Sequence, residues 1–244
     1  MKTDIWLKTE DRELPALTEG EARYVMSANG TYLERCAPGF ATSTRLVGDV
    51  PSLAEHYQYC RLTCGKINRT MQAAMLAFFR HAHRMHGGEA ALVLLYHTAR
   101  RTFRWFCPEQ TIEVYENRGT WWAYDYIQFQ YPFQLPEGYV IFGDAHLHPG
   151  LPYPSAIDTK DDQDGLHIIV GGINGRPRYH VDFVMDGVRF NVRENLVFED
   201  PDCPPSPQPP QAWLGQIRVV TRQYSSPSQS YTNSEIIGGQ PNDA

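Results

Sequence analysis

Tyr139-Val140-Ile141-Phe142-Gly143-Asp144-Ala145-His146-Leu147-His148-Pro149, continuing Gly150-Leu151-Pro152-Tyr153-Pro154-Ser155-Ala156-Ile157-Asp158, is the stretch on which the fold turns. Tyr139 to Phe142 predicts a strand running into the histidines. Alternate residues of a strand face one side, so His146 and His148 present two imidazoles to one point while Leu147 turns to the core. The Pro/Gly-rich turn leads to a helix entered at Ser155, with Gly165 as its stop. Ser155 and Asp158, three apart, share a face near the helix start.

Two neutral imidazoles suit a borderline-soft divalent metal such as zinc, and Asp158 supplies a third, anionic ligand. Three protein ligands leave one position for water, the pattern of a catalytic rather than structural site. Each half also has a plain reading. Paired strand histidines can be satisfied polar residues, and Ser155 with Asp158 can be a helix cap. H-x-H-P directly ahead of S-x-x-D is much more specific than either half. A zinc-activated water needs a proton acceptor, and Glu89 is the candidate. It stands after Gly87-Gly88 at the head of the apolar run Ala90–Tyr96, where packing gives no reason for a carboxylate. Alone it would read as a solvated strand-edge residue.

Outward from this stretch, Met71, Ala74, Met75, Phe78, Phe79, Ala82 and Met85 form one apolar helical stripe that Gly87-Gly88 stops. His81, His83 and His86 near its end read as polar helix-end residues favoured by the dipole. Ala90–Tyr96 is a strand covered on both faces. Strands over 102–106, 111–115, 121–133 and 139–142 continue the sheet, 166–170 is another buried strand, and 179–185 with 188–192 make a hairpin around Asp186-Gly187. Helix, strands, helix and strands give α/β or α+β rather than regular alternation. Before this core, residues 22–48 predict a β-hairpin turning at Asn29-Gly30 and 51–61 a helix broken by Gly65. After it come a semi-extended linker with six prolines from Pro201 to Pro210, a strand or docked segment over 213–220, and a flexible polar tail over 224–244.

Composition narrows the function. With 22 Lys+Arg against 28 Asp+Glu among 244 residues, the net charge is −6, which leaves no dense basic surface for nucleic acid. The N-terminus lacks a secretory apolar stretch, and the longest apolar run is far short of the roughly 20 residues of a membrane span. Five scattered cysteines argue against a disulfide framework or a thiolate zinc site; they read as small buried hydrophobes in a reducing cytoplasm.

Glu89, His146-Leu147-His148-Pro149 and Ser155-Ala156-Ile157-Asp158 resemble the JAMM motif, E…H-x-H-P…S-x-x-D, of MPN/JAB-domain metalloproteases. The amphipathic helix, the Glu-headed strand and the strand Leu166–Val170 fall in the family's order, and the similarity covers about residues 66–195. It implies a cytidine-deaminase-like α/β fold with a curved mixed sheet flanked by helices. An N-terminal extension would span 1–65, the JAB/MPN domain 66–200, and the linker and tail 201–244. It also implies a zinc-dependent isopeptidase or peptidase acting after the C-terminal glycine of a ubiquitin-like modifier. His146, His148 and Asp158 match the zinc ligands, Glu89 the general acid/base, and Ser155 the hydroxyl that supports the developing oxyanion.

Leu147 departs from the family's usual Ser or Thr, and the turn Gly150–Pro154 is one residue shorter than its commonest spacing. The compact architecture is closer to bacterial members, which work beside E1-like activating and E2-like conjugating proteins, including in antiviral (antiphage) operons, than to proteasome or signalosome subunits. A substrate tail would add as a strand to a sheet edge, for which residues 111–133 are a source. Their aromatics change phase from Trp122, Tyr124 and Tyr126 to Ile127, Phe129, Tyr131 and Phe133, which predicts a bulge or bend. They line a groove or fill the core. Two other classes compete: a non-catalytic MPN scaffold, and a metal hydrolase barrel recruiting His167 or His180. Ile236-Ile237-Gly238-Gly239-Gln240 looks superficially like a modifier's C-terminus.

Overall fold

A computed structural model describes residues 4–11, 13–46, 48, 53–117, 120–132 and 134–223. The first sheet has five strands in chain order: β1 (Asp4–Leu7), β2 (Ala22–Ser27), β3 (Gly30–Ala37), β4 (Phe40–Arg45) and β5 (Tyr59–Leu62). The hairpin expected around Asn29-Gly30 is β2–β3, pairing Ser27 with Gly30. The helix expected over 51–61 is corrected. Tyr59–Leu62 is a strand that completes the sheet against Phe40–Ser43, and the residues from Leu53 to Gln58 are not helical. Pairing across the sheet wins over a local helical pattern there, and Tyr59-Cys60-Arg61-Leu62 carries no helix cap. Pro51 and Ser52, read as that helix's start, lie outside the described residues.

Helix α1 (Arg69–His86) begins at Asn68, whose side chain accepts from Met71 N–H, and ends at Gly87 in the left-handed region with Gly87 N–H donating to His83 O. Met75, Phe78, Phe79 and Ala82 are buried as the stripe requires, Met71 and Ala74 are half-buried, Met85 is exposed, and Leu76, outside the stripe, is buried as well. The helix covers one face of a six-stranded mixed sheet. Its strands are β6 (Ala91–His97), β7 (Thr102–Phe106), β10 (Tyr139–Leu147), β11 (Gly165–Gly171), β12 (Arg178–Met185) and β13 (Val188–Asn191), ordered β13-β12-β11-β10-β6-β7. Every residue of β6 and β11 is buried. Only β10 and β11 pair in parallel, joined through α2 (Ala156–Asp161). The Asp186-Gly187 turn has positive φ at both residues, as a tight hairpin needs.

Strands over 110–129 do not continue this sheet. β8 (Gln110–Asn117), β9 (Thr120–Phe129) and β14 (Ile217–Gln223) form a separate three-stranded sheet, and Ile112, Val114 and Ile127 bury against Ala91 of β6. The second face of the large sheet is thus covered here by strands rather than by a helix. The expected bulge is present: Ile112 pairs with Ile127 but Val114 with Ala123, so β9 carries two extra residues between them. β8 is paired on both edges, leaving β9 and β14 as the outer strands. Phe133, like the side chains of Trp122, Tyr124 and Tyr126, falls outside what is described.

Two short helices, α3 (Glu194–Val197) and α4 (Gln211–Leu214), follow β13. The Pro-rich segment packs rather than bridging free space. Cys203 is buried with its thiol toward Arg69 O, and Ser206 N–H donates to Ala73 O of α1. Of the five cysteines, all free, Cys107 and Cys203 are fully buried while Cys36, Cys60 and Cys64 are half-buried. The architecture is mixed α/β, and its open sheets are not a βα barrel. No helix among the described residues is long and apolar enough to cross a membrane. The tail 224–244, with Ile236–Gln240, lies outside the described residues.

Candidate metal centre

The carboxyl end of β10 carries the site, and a bulge aims it. Ile141 pairs with Leu95 and Gly143 with Leu94, which leaves Phe142 as the extra residue. Phe142, Ala145 and Leu147 all join the core, so the side-chain phase switches at the bulge and Asp144 and His146 share the opposite side. Gly143 is obligatory there: its φ is +155°, and a Cβ would stand 1.8 Å from Leu166 O. His148 follows the strand end, held by its N–H donating to Val170 O.

The turn 149–154 is pinned against the end of β11. Gly172 N–H donates to Gly150 O, and a Cβ on Gly171 would meet Pro152 N at 2.6 Å and Gly150 O at 2.7 Å. That close approach seats the shortened turn, a role that turn chemistry alone does not assign to Gly171-Gly172. At its end Ser155 and Asp158 form a capping box. Asp158 N–H donates to Ser155 Oγ (3.1 Å), and Ser155 N–H donates to Asp158 Oδ2 (2.6 Å). The cap reading and the ligand reading are therefore compatible, because the box fixes the carboxylate's position.

Three side chains from two segments converge. His146 Nε2 and His148 Nε2 are 3.1 Å apart, Asp158 Oδ1 is 3.5 Å from His146 Nε2, and Asp158 Oδ2 is 3.3 Å from His148 Nε2. Among the described residues this trio is the group able to hold a metal ion. A tetrahedral ion with bonds of about 2.1 Å sets neighbouring ligand atoms about 3.4 Å apart; the two imidazole nitrogens stand near that distance from each other, and each stands near it from one oxygen of the Asp158 carboxylate. Glu89, buried just before β6, puts Oε1 3.8 Å from His148 Nε2. Its backbone is fixed on both sides. A Cβ on Gly88 would strike Ile112, Leu147 N–H donates to Ala90 O, and the buried Gln110 amide hydrogen-bonds both N–H and C=O of Ala91.

The electrostatics favour a positive charge at the convergence. Burial opposes protonation of His146, but the carboxylates of Asp144 and Asp158 on either side of the ring outweigh it and push its pKa up to about 10. Burial likewise opposes the Asp158 carboxylate, yet His146 and His148 hold its carboxyl far below the usual range. A cleft of about 460 Å³ opens onto Glu89, His146 and Asp158, with Ile127, Phe129 and Tyr131 on one wall and Asp161, Asp162 and Gln163 on another. Residues 111–133 thus serve both ends: Ile112 and Val114 fill core, Phe129 and Tyr131 reach the cleft, and Ile127 does both.

All five candidate residues lie together, with Ser155 exposed and holding Asp158 through the capping box. His180 pairs with Asp182, and His167 with Asp144 behind His146, so neither joins the trio as a ligand. Asp144 and Gln110 touch the site or support it without any sequence signal, and Tyr131 and His167, read from the sequence as a groove or core aromatic and as a histidine for a barrel, support it by bonding Asp144. Their contacts arise from strand register, Asp144 standing opposite His167 and Gln110 beside Ala91. No family model, curated protein or solved structure matches the chain.

Proposed function

We propose that this chain is a JAMM-type zinc isopeptidase or peptidase, of the cytidine-deaminase-like MPN/JAB fold, that hydrolyses the amide bond after the C-terminal glycine of a ubiquitin-like modifier. The observation that carries the reading is the convergence of His146, His148 and Asp158 with the Glu89 carboxylate beside them. The order of elements agrees with it: amphipathic α1, Glu89 ahead of buried β6, the histidines at the end of β10, Ser155 and Asp158 at the start of α2, then β11.

His146, His148 and Asp158 would hold the zinc. A zinc ion supplies a Lewis acid that polarises an amide carbonyl and makes water acidic near neutral pH. Glu89 Oε1 accepts the proton from the attacking water and returns it to the departing amine, which leaves neutral. Ser155 Oγ already accepts Asp158 N–H, so its own proton is the one free to donate to an oxyanion. The outer strand β9 offers main-chain groups to an extended tail, and Phe129 and Tyr131 form the wall it would pass. Partners follow as the modifier, its conjugates and the E1-like and E2-like proteins that make them, in the cytoplasm. The nearness of Glu89 to the trio favours this over a non-catalytic scaffold.

The test is cleavage of a ubiquitin-like protein carrying a C-terminal aminocoumarin amide by the zinc-loaded full-length protein. Glu89→Gln should lower turnover at least about 100-fold while zinc content and thermal stability hold. Equal turnover in the variant, or loss of its zinc, removes the general-base role.

A further inference from the structure

His146 has a second nitrogen, and what stands behind it is a buried network rather than solvent. Asp144 Oδ1 lies 3.6 Å from His146 Nδ1, an ion-pair contact rather than a hydrogen bond. Its other oxygen, Oδ2, takes two short hydrogen bonds, from the Tyr131 hydroxyl at 2.6 Å and from His167 Nδ1 at 2.8 Å. Asp144 and His167 are both buried.

The partners of His167 fix its charge. Nε2 is 2.7 Å from the Gln163 carbonyl, which can only accept, so that nitrogen carries a proton. Nδ1 faces the carboxylates of Asp144 and, at 3.4 Å, Asp162, so it carries one too. His167 is therefore an imidazolium. Asp162 is in turn held by Arg189, which also reaches Asp182. Burial opposes charge on His167, but Asp144 and Asp162 raise its pKa.

We infer that Asp144, locked by the Tyr131 hydroxyl and the buried His167 imidazolium, is the positioning residue that sets the ring of His146 for metal binding. With Oδ2 committed to its two donors, Oδ1 remains to draw the proton of His146 to Nδ1. Nε2, the atom that meets His148 and Asp158, is then the nitrogen that gives up its proton and offers its lone pair to a metal. A carboxylate behind a metal-binding imidazole fixes its tautomer and raises its basicity. Tyr131, which follows β9, also ties the wall of the cleft to the ligand, so the two are held in one frame.

The inference rests on the metal reading of the trio, and cobalt(II) titration of the full-length protein separates the two. Affinity is measured against a competing chelator and coordination by visible absorption, for wild type, Asp144→Asn, Tyr131→Phe and Asp182→Asn. Asp144→Asn should bind about 10–100-fold more weakly with an altered cobalt spectrum, and Tyr131→Phe about twofold or more weakly. Asp182→Asn, in the same network but not against His146, should lose thermal stability while keeping wild-type affinity and spectrum. Wild-type affinity in Asp144→Asn overturns the positioning role while leaving the metal site standing. Should that variant not fold, wild-type affinity in Tyr131→Phe overturns it instead. An equal loss in Asp182→Asn reduces the effect to general destabilisation and overturns it as well. Wild-type protein that takes up no cobalt removes the metal reading itself, and this inference with it.

Discussion

Among the described residues, a buried cluster of acids and bases in the N-terminal sheet and another at the end of β10 are built to opposite ends. In the N-terminal sheet, Arg23 of β2 grips Glu34 Oε2 through two nitrogens at 2.6 Å and donates its third to Pro15 O. Glu34 Oε1 faces His56 Nε2 at 3.0 Å; the His56 backbone is held by Asn29 and by the Tyr32 hydroxyl. Unlike groups alternate, and the cluster closes on itself. At the end of β10, two imidazole nitrogens face each other at 3.1 Å beside two carboxylates, with a cleft in front. Donor atoms aimed at one point and open to a cleft mark a site; the same residue types in a closed circuit mark a structural joint.

Mutation should separate them most sharply at the acids. Glu34→Gln leaves the Arg23 charge buried without its partner and should cost about 3 kcal/mol of stability in thermal or urea unfolding, with zinc stoichiometry unchanged. Asp158→Asn should do the reverse, abolishing zinc binding while stability changes by less than about 1 kcal/mol. Loss of zinc in Glu34→Gln, or unfolding of Asp158→Asn, would erase the distinction.

Next in size is Gly171→Ala. The added Cβ meets backbone atoms of Gly150 and Pro152, so the turn must move, at about 1–3 kcal/mol. Because that turn delivers Ser155 and Asp158, zinc affinity should fall with it, a coupling read by chelator competition.

Smallest is the pH response of the joint. Burial opposes the Glu34 carboxylate, but His56 and Arg23 outweigh it and lower its pKa below 4.5. A lowered folded pKa means stability that is present above the unfolded value and lost as pH falls through the folded one. The stability gap between wild type and Glu34→Gln should be flat above about pH 5 and shrink steadily below 4.5. A gap that persists at lower pH would show that Glu34 stabilises by packing rather than by charge.

The site residues were legible because their signal is local. His146 and His148 are two apart on a strand, Ser155 and Asp158 three apart on a helix, and Glu89 interrupts an apolar boundary. The helix α1 and the strands around β6 follow from periodicity for the same reason. What escaped depends on pairing between distant segments. β4 is rich in Thr and Ser and β5 is four residues long, and both are strands because β3 templates them in turn. Asp144 and Tyr131 are thirteen apart, and Asp144 meets His167 through the parallel register of β10 with β11. No spacing rule within one segment reports such contacts. The β8–β9–β14 sheet was missed as a separate unit because β14 arrives after the Pro-rich segment.

Anomalous diffraction at the zinc edge, from crystals of the full-length protein grown with zinc, asks most directly whether two imidazoles and an aspartate share one ion. A single peak bonded to His146 Nε2, His148 Nε2 and Asp158, with Glu89 near it but unbonded, is the expected result. No peak at this place, or a peak ligated by Glu89, would mean that the trio is not a catalytic metal centre of the kind described.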